Sequence, residues 1–160
     1  MGGYLGNQPD AIKPPTLIFS NTTGKATAGT SEESLVSYTM PANKLAGNGH
    51  KLRIVATGTT AADGDNKTVL LKFGSVTIID STAIAANDKD WKVEAEVLRT
   101  GSATQDIYAS GLFNDALIIP VFTAGTEDLT SSVVIDVRGT TPTTAGDLTC
   151  ENLTVELIET

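Results

Sequence analysis

Histidine, the side chain best suited to move protons near neutral pH, occurs once in this 160-residue chain, as His50 in the loop Pro41–His50, beside Lys51. A nucleophile triad needs a base held between a nucleophile and an orienting acid, so His50 is the sole imidazole available for one. No Gly-x-Ser-x-Gly elbow accompanies it, and it reads as a solvated loop histidine. Cys150 is the single cysteine. It has no intrachain disulfide partner and reads as a small buried or half-buried thiol in a strand. Glu94 and Glu96 fall on one strand face. A pair of that kind suits glycoside hydrolysis in a cleft lined with aromatic rings. With one Trp and three Tyr in the whole chain, a solvated strand face is the better reading.

Metal and phosphate chemistry fare no better. Asp63, Asp65 and Asn66 resemble the opening of a calcium loop, but no glutamate follows at the twelfth position. The Asp63-Gly64 step marks a tight turn instead. One His and one Cys cannot supply a zinc set within one chain. The glycines of Gly47-Asn48-Gly49 lead into a strand, whereas a phosphate cradle leads into a helix. Asn21, Asn66 and Asn152 each open an Asn-x-Thr sequon, which matters only where a glycosylation machinery meets the chain. The expectation is therefore no catalytic, cofactor-binding or metal-binding residue, and no enzyme.

Composition narrows the partners. Lys and Arg number 11 against 19 Asp and Glu, a net charge of −8. That balance is wrong for a phosphate backbone, which needs clustered basic groups, and for an anionic membrane surface. The opening MGGYLGNQPD lacks the basic and apolar regions of a signal peptide. Neither nucleic acid nor membrane is expected as a partner.

The elements behind these residues read as strands. In Trp91–Gly101, Trp91, Val93, Ala95, Val97 and Arg99 alternate with Lys92, Glu94, Glu96, Leu98 and Thr100. That period of two marks a strand with one side on a core. Lys51–Thr59 repeats it with Leu52, Ile54 and Ala56. Similar faces recur as Val69, Leu71 and Phe73, as Val133, Ile135 and Val137 in Leu129–Gly139, and as Leu153, Val155 and Leu157 in Cys150–Glu159. Ala103–Phe113 reads as the hairpin partner of the Trp91 strand. Ala116–Phe122 is apolar on both faces yet contains Pro120, which predicts an edge or bulged position. Eight or nine short strands with regular turns predict an all-β, jelly-roll-like antiparallel β-sandwich.

Residues 1–30 differ. Gly2, Gly3, Gly6, Pro9, Pro14 and Pro15 break regular structure. The same stretch carries Tyr4, Leu5, Ile12, Leu17, Ile18 and Phe19, many large apolar groups for a free tail. We read 1–30 as an extended N-terminal arm whose apolar residues grip a partner by adding to its sheet edge, and 31–160 as the sandwich.

The segment HKLRIVATGTTAADGDNKTVLLKFGSVTIID, with WKVEAEVLRTGSATQDIYA after it, resembles a β-sandwich domain of tailed-bacteriophage virions. The matching residues are Leu52–Ile54, Asn66–Thr68, Lys72–Gly74, Trp91–Ala95 and Arg99–Gly101. The opening Tyr4-Leu5-Gly6-Asn7-Gln8-Pro9 is similar to the start of many phage tail-fibre and adaptor proteins, where that stretch attaches the protein to the particle. The resemblance covers about two thirds of the chain. It implies a homotrimeric virion component made in the host cytoplasm: a short tail fibre, a tail adaptor or a capsid decoration protein. It would be docked on tail, portal-proximal or capsid proteins. It brings no catalytic residue and no cofactor. The alternative is a receptor- or carbohydrate-binding module on the virion that recognises a host-surface glycan.

Overall fold

Strands, and no helix, make up the described residues 13–160 of a computed structural model. In chain order they are β1 (Thr16–Asn21), β2 (Lys25–Ala26), β3 (Glu33–Met40), β4 (Lys51–Thr60), β5 (Asn66–Phe73) and β6 (Val76–Asp80). Then follow β7 (Ile84–Ala85), β8 (Asp90–Gly101), β9 (Thr104–Phe113), β10 (Ala116–Gly125), β11 (Val133–Thr140) and β12 (Leu148–Ile158). The larger sheet runs β1-β12-β4-β8-β9-β10, with β2 also on β12. The smaller runs β3-β11-β5-β6, with β7 on β5. Among the described residues every strand pairing is antiparallel.

Setting aside the short β2 and β7 and the hairpin β9–β10, eight strands remain, ordered β1-β12-β4-β8 over β3-β11-β5-β6. The chain crosses repeatedly between the two sheets, which is the double Greek key of a jelly roll. The fold is thus an all-β antiparallel sandwich of jelly-roll connectivity, as the strand pattern predicts, with one hairpin added to the edge of its larger sheet.

Alternation fills the interior. Leu52, Ile54 and Ala56 of β4, Val93 and Val97 of β8, Ile107 and Phe113 of β9, and Leu153 and Val155 of β12 point inward and are buried. Val69, Leu71, Phe73, Ile135 and Val137 meet them from the smaller sheet. Trp91, the largest core residue, fits only because position 58 is glycine. A Cβ there would lie 1.9 Å from the Thr149 carbonyl oxygen and 2.4 Å from Trp91 Cζ2. The β8 and β4 partners Trp91 and Gly58 stand directly opposite each other.

Two boundaries differ from the sequence reading. The strand expected from Leu129 begins at Val133. Upstream of it, the Asp128 carboxylate accepts the Thr130 N–H at 2.9 Å and turns the chain. More consequential is the N-terminal stretch. Within the expected arm 1–30, β1 and β2 are both hydrogen-bonded to β12. The roll thus starts at Thr16, because β12 would otherwise present an open edge that the TLIFSN segment closes.

Candidate interaction surface

Most of the residues with chemical potential are engaged by their neighbours, Asp147 Oδ2 being a buried carboxylate oxygen without a hydrogen-bond partner. His50 Nδ1 accepts the Gly47 N–H at 3.3 Å. The 41–50 loop is further clamped by Arg99, whose Nη1 donates to the Leu45 carbonyl at 2.6 Å and whose Nε donates to Asn48 Oδ1 at 3.2 Å. Cys150 is fully buried, and burial pushes its thiol up to about 11, far from thiolate reactivity. Glu94 pairs with Lys92 at 2.8 Å, and Glu96 with Lys51 at 3.4 Å. Both acids sit on the outer face of the larger sheet, as the alternation predicts.

The Asp63–Asn66 turn is richer than its sequence suggests. Asp63, Asp65 and Asp147 bring one carboxylate oxygen each within 4.8 Å of one another. Lys67, fully buried, sends its ammonium among them: Nζ donates to Asp63 Oδ1, to the Asp65 carbonyl at 3.2 Å and to the Ala86 carbonyl at 3.0 Å. All three of its protons are used. That bond to Lys67 holds the Asp63 carboxyl below the usual range. Burial, then the neighbouring Asp63, raises that of Asp147. The internal ammonium thus answers the Asp63 carboxylate directly, while the Asp65 carboxylate accepts from the Thr143 hydroxyl.

The surface that stands out is apolar. Tyr108 and Leu112 on β9, with Leu117, Val121 and Phe122 on β10, are 59%, 46%, 66%, 40% and 55% exposed. Strand register groups four of them on one face, while Val121, opposite the inward-facing Ala109, lies on the other. Phe122 stands opposite Tyr108 and Leu117 opposite Leu112, so each pair shares the outer face. The Tyr108 and Phe122 rings lie 5.0 Å apart, tilted by 57°. A register shift between Ile118 and Val121 accommodates Pro120, and β10 is the last strand of its sheet, as expected for Ala116–Phe122. The hairpin turns on Asn114 and Asp115, both at positive φ (53° and 61°), the mark of a two-residue type I′ turn. Asn114 Nδ2 donates to the Ala85 carbonyl at 2.7 Å, and Lys89 Nζ meets Asp115 Oδ2 at 2.5 Å. The hairpin is therefore pinned to the roll.

Beside it, Arg53, Glu94, Glu96, Tyr108 and Ser110 line a shallow depression of about 270 Å³ on the outer face. A neighbouring one of about 360 Å³ lies between Thr57, Thr59, Lys92 and Leu112.

The six residues expected to grip a partner divide three ways. Tyr4, Leu5 and Ile12 lie outside the described residues. Leu17 is on the outer face of β1 and 58% exposed. Ile18 and Phe19 are half-buried against the core, and the Phe19 ring stacks on Tyr38 at 4.7 Å. The shift in register between Leu17 and Phe19 turns the two side chains to opposite faces. Ile18 and Phe19 are thus engaged in this chain's own packing. The sequence reading misses the four residues of the hairpin's outer face, Tyr108, Leu112, Leu117 and Phe122, although the two-sided apolarity of Ala116–Phe122 combined with an edge position is the signal for two of them.

No protein-family model matches the sequence, and no curated protein matches it either. Among solved structures the chain is similar to the CBM2 module of the evolved Dit of Lactobacillus casei BL23 phage J-1. The identity is 8%, over 91% of this chain and 97% of that one, with a TM-score of 0.41. It is also similar to the structure of the infectious bursal disease virus Gt strain and to that virus's VP2 subviral particle. Identities are 16% and 15% and TM-scores 0.38 and 0.37, over 99% of this chain and 37% of each of those.

Proposed function

We propose that this chain is a non-enzymatic structural component of a tailed-phage virion: a short tail fibre, tail adaptor or capsid decoration protein. In this reading it works as a homotrimer and attaches to other virion proteins through its N-terminal stretch. The observation that carries the reading is a division of labour. His50, Cys150 and Lys67 are engaged within the fold, while large apolar groups gather on the outer face of an added hairpin whose inner face packs on the core. A rigid body with uncovered apolar surface is suited to assembly. The phage context rests on the matching segments Leu52–Ile54, Asn66–Thr68, Lys72–Gly74, Trp91–Ala95 and Arg99–Gly101. Many weak contacts repeated by symmetry give durable attachment.

The test compares the full chain with one lacking residues 1–12, which keeps every described strand. Full chain that co-sediments with virions of the phage encoding it, and truncated chain that does not, is the expected result. Equal co-sedimentation of both overturns attachment through the N-terminal stretch.

One observation favours a second reading, a glycan-binding module. The depression beside Tyr108 sets an exposed aromatic ring next to Arg53, Glu94, Glu96 and Ser110, the mixture of stacking face and hydrogen-bonding groups that sugars use. Binding on a glycan array that is lost in Tyr108→Ala would support it, and an array without hits would remove it.

A further inference from the structure

Two connections cross between the sheets at the same end of the roll, β4 to β5 and β11 to β12. They are tied to each other twice. The Ala61 N–H donates to the Asp147 carbonyl at 2.8 Å, and the Thr143 hydroxyl donates to Asp65 Oδ2. Asp63 and Asp65 come from the first connection and Asp147 from the second, with one carboxylate oxygen each inside 4.8 Å of the others. Lys67 brings one positive charge to these three acids, and its protons go to Asp63 Oδ1 and to the Asp65 and Ala86 carbonyls. With all three acids ionised, two negative charges remain.

Asp147 sets this group apart from a cluster of surface acids. It is 5% exposed, and among the described residues its buried Oδ2 has no hydrogen-bond partner. A carboxylate oxygen taken out of water with nothing bonded to it is costly, and such an atom calls for a partner of opposite charge. Its neighbours have oxygens to add. The Asp65 N–H and Lys67 both donate to Asp63 Oδ1, and Thr143 donates to Asp65 Oδ2, which leaves the other oxygen of each acid for a further bond.

An all-oxygen, carboxylate-rich set suits a hard divalent cation. The spacing leaves room for ligands at about 2.4 Å from a common ion, the calcium distance. An irregular set from two loops is tolerated by calcium, whereas magnesium demands a near-ideal octahedron. The Asp63-Gly64-Asp65 turn lacks the glutamate that completes a calcium loop along the chain. Asp147 takes that place across the fold.

We propose that Asp63, Asp65 and Asp147 bind one calcium ion, which clamps the two inter-sheet connections at this end of the roll. Lys67 stays on Asp63 Oδ1 and the carbonyls, and leaves a charge that a single divalent ion neutralises. The site stands whether or not the chain is a virion component.

The test is calorimetric titration and thermal melting of the full chain, freed of cations with a chelator and returned to chelator-free buffer. Calcium chloride is expected to bind with a dissociation constant of about 0.1–1 mM, the range of weak carboxylate sites. At about 10 mM it is expected to raise the melting temperature by roughly 3–10 °C, with a smaller rise from magnesium. Asp147→Asn is expected to weaken calcium binding about tenfold or more and to lose most of that rise. Asp65→Asn is the second variant should the first fail to fold, and is expected to behave likewise. Asp106→Asn, at the other end of the sheet, is expected to keep the wild-type response. A wild type that gives no heat of binding and no change in melting with calcium overturns the proposal. The charge is then met by a proton that Asp63 and Asp147 are close enough to share. Folded Asp147→Asn or Asp65→Asn chains that respond to calcium as the wild type does also overturn it, by placing the ion elsewhere. A magnesium response equal to that of calcium overturns the choice of ion.

Discussion

Strands β8 and β10 belong to the same sheet, separated only by β9, and have opposite surfaces. β8 buries Trp91, Val93, Ala95 and Val97 and turns Lys92, Glu94 and Glu96 outward. β10 turns Leu117 and Phe122 outward at 66% and 55% exposure. The difference marks where the fold's own needs end. Up to β8, most large apolar residues of the larger sheet are buried against the smaller one, with Leu17 on β1 the strongly exposed exception. At the hairpin apolar groups continue on the outer face, where this chain places nothing over them. Burying such a surface is favourable by roughly 25 cal/mol per Å², so it favours association in any setting that supplies a matching surface.

Three changes break or sharpen that comparison. The largest effect belongs on the β8 side. Gly58→Val puts side-chain atoms where the Thr149 carbonyl and the Trp91 ring already stand. Denaturant unfolding is expected to show a loss of about 3 kcal/mol. A loss below about 1 kcal/mol would mean that Trp91 is free to move aside.

The second concerns the buried carboxyl at the end of the roll. Burial raises the Asp147 pKa in the folded chain, so between its ordinary and its raised value the folded state holds more protons than the unfolded one. Stability from this group is complete below the ordinary carboxylate range and declines as pH rises through the folded value. Asp147→Asn, which mimics the protonated acid, is expected to match the wild type at low pH and to gain on it as pH rises. Melting temperatures across that range check this, and a difference that does not change with pH contradicts it.

The smallest effect is expected on the hairpin. Leu117→Ser, read at a dilution where the chain is a single copy, should change stability by no more than about 0.5 kcal/mol, because an exposed side chain loses little on truncation. A loss of several times that would show that the outer face of the hairpin serves the fold.

Much of the fold was legible because period-two alternation is a local signal. Each of β4, β5, β8, β11 and β12 shows its buried face within eight to twelve residues. Pro120 in an apolar run likewise told the place of β10. What could not be read was which distant segment completes a sheet. Nothing local distinguishes a TLIFSN strand that closes the β12 edge from one that extends into a neighbour, so the sequence alone places β1 and β2 in the arm. Ile18 and Phe19 were then assigned to a partner when they pack on the core, with Phe19 against Tyr38, 19 residues away. The ammonium of Lys67 among three acids was hidden for the same reason, since Asp147 joins Asp63 and Asp65 only through the fold. The hairpin surface needed two facts together, an edge position and the facing of Tyr108 on β9, and the second depends on register.

The measurement that bears most directly on the proposed virion role is quantitative mass spectrometry of virions purified from cells that make this chain. The account predicts the chain there in a fixed copy number, divisible by three. Virions without it, or a copy number that varies from one preparation to the next, would contradict the account.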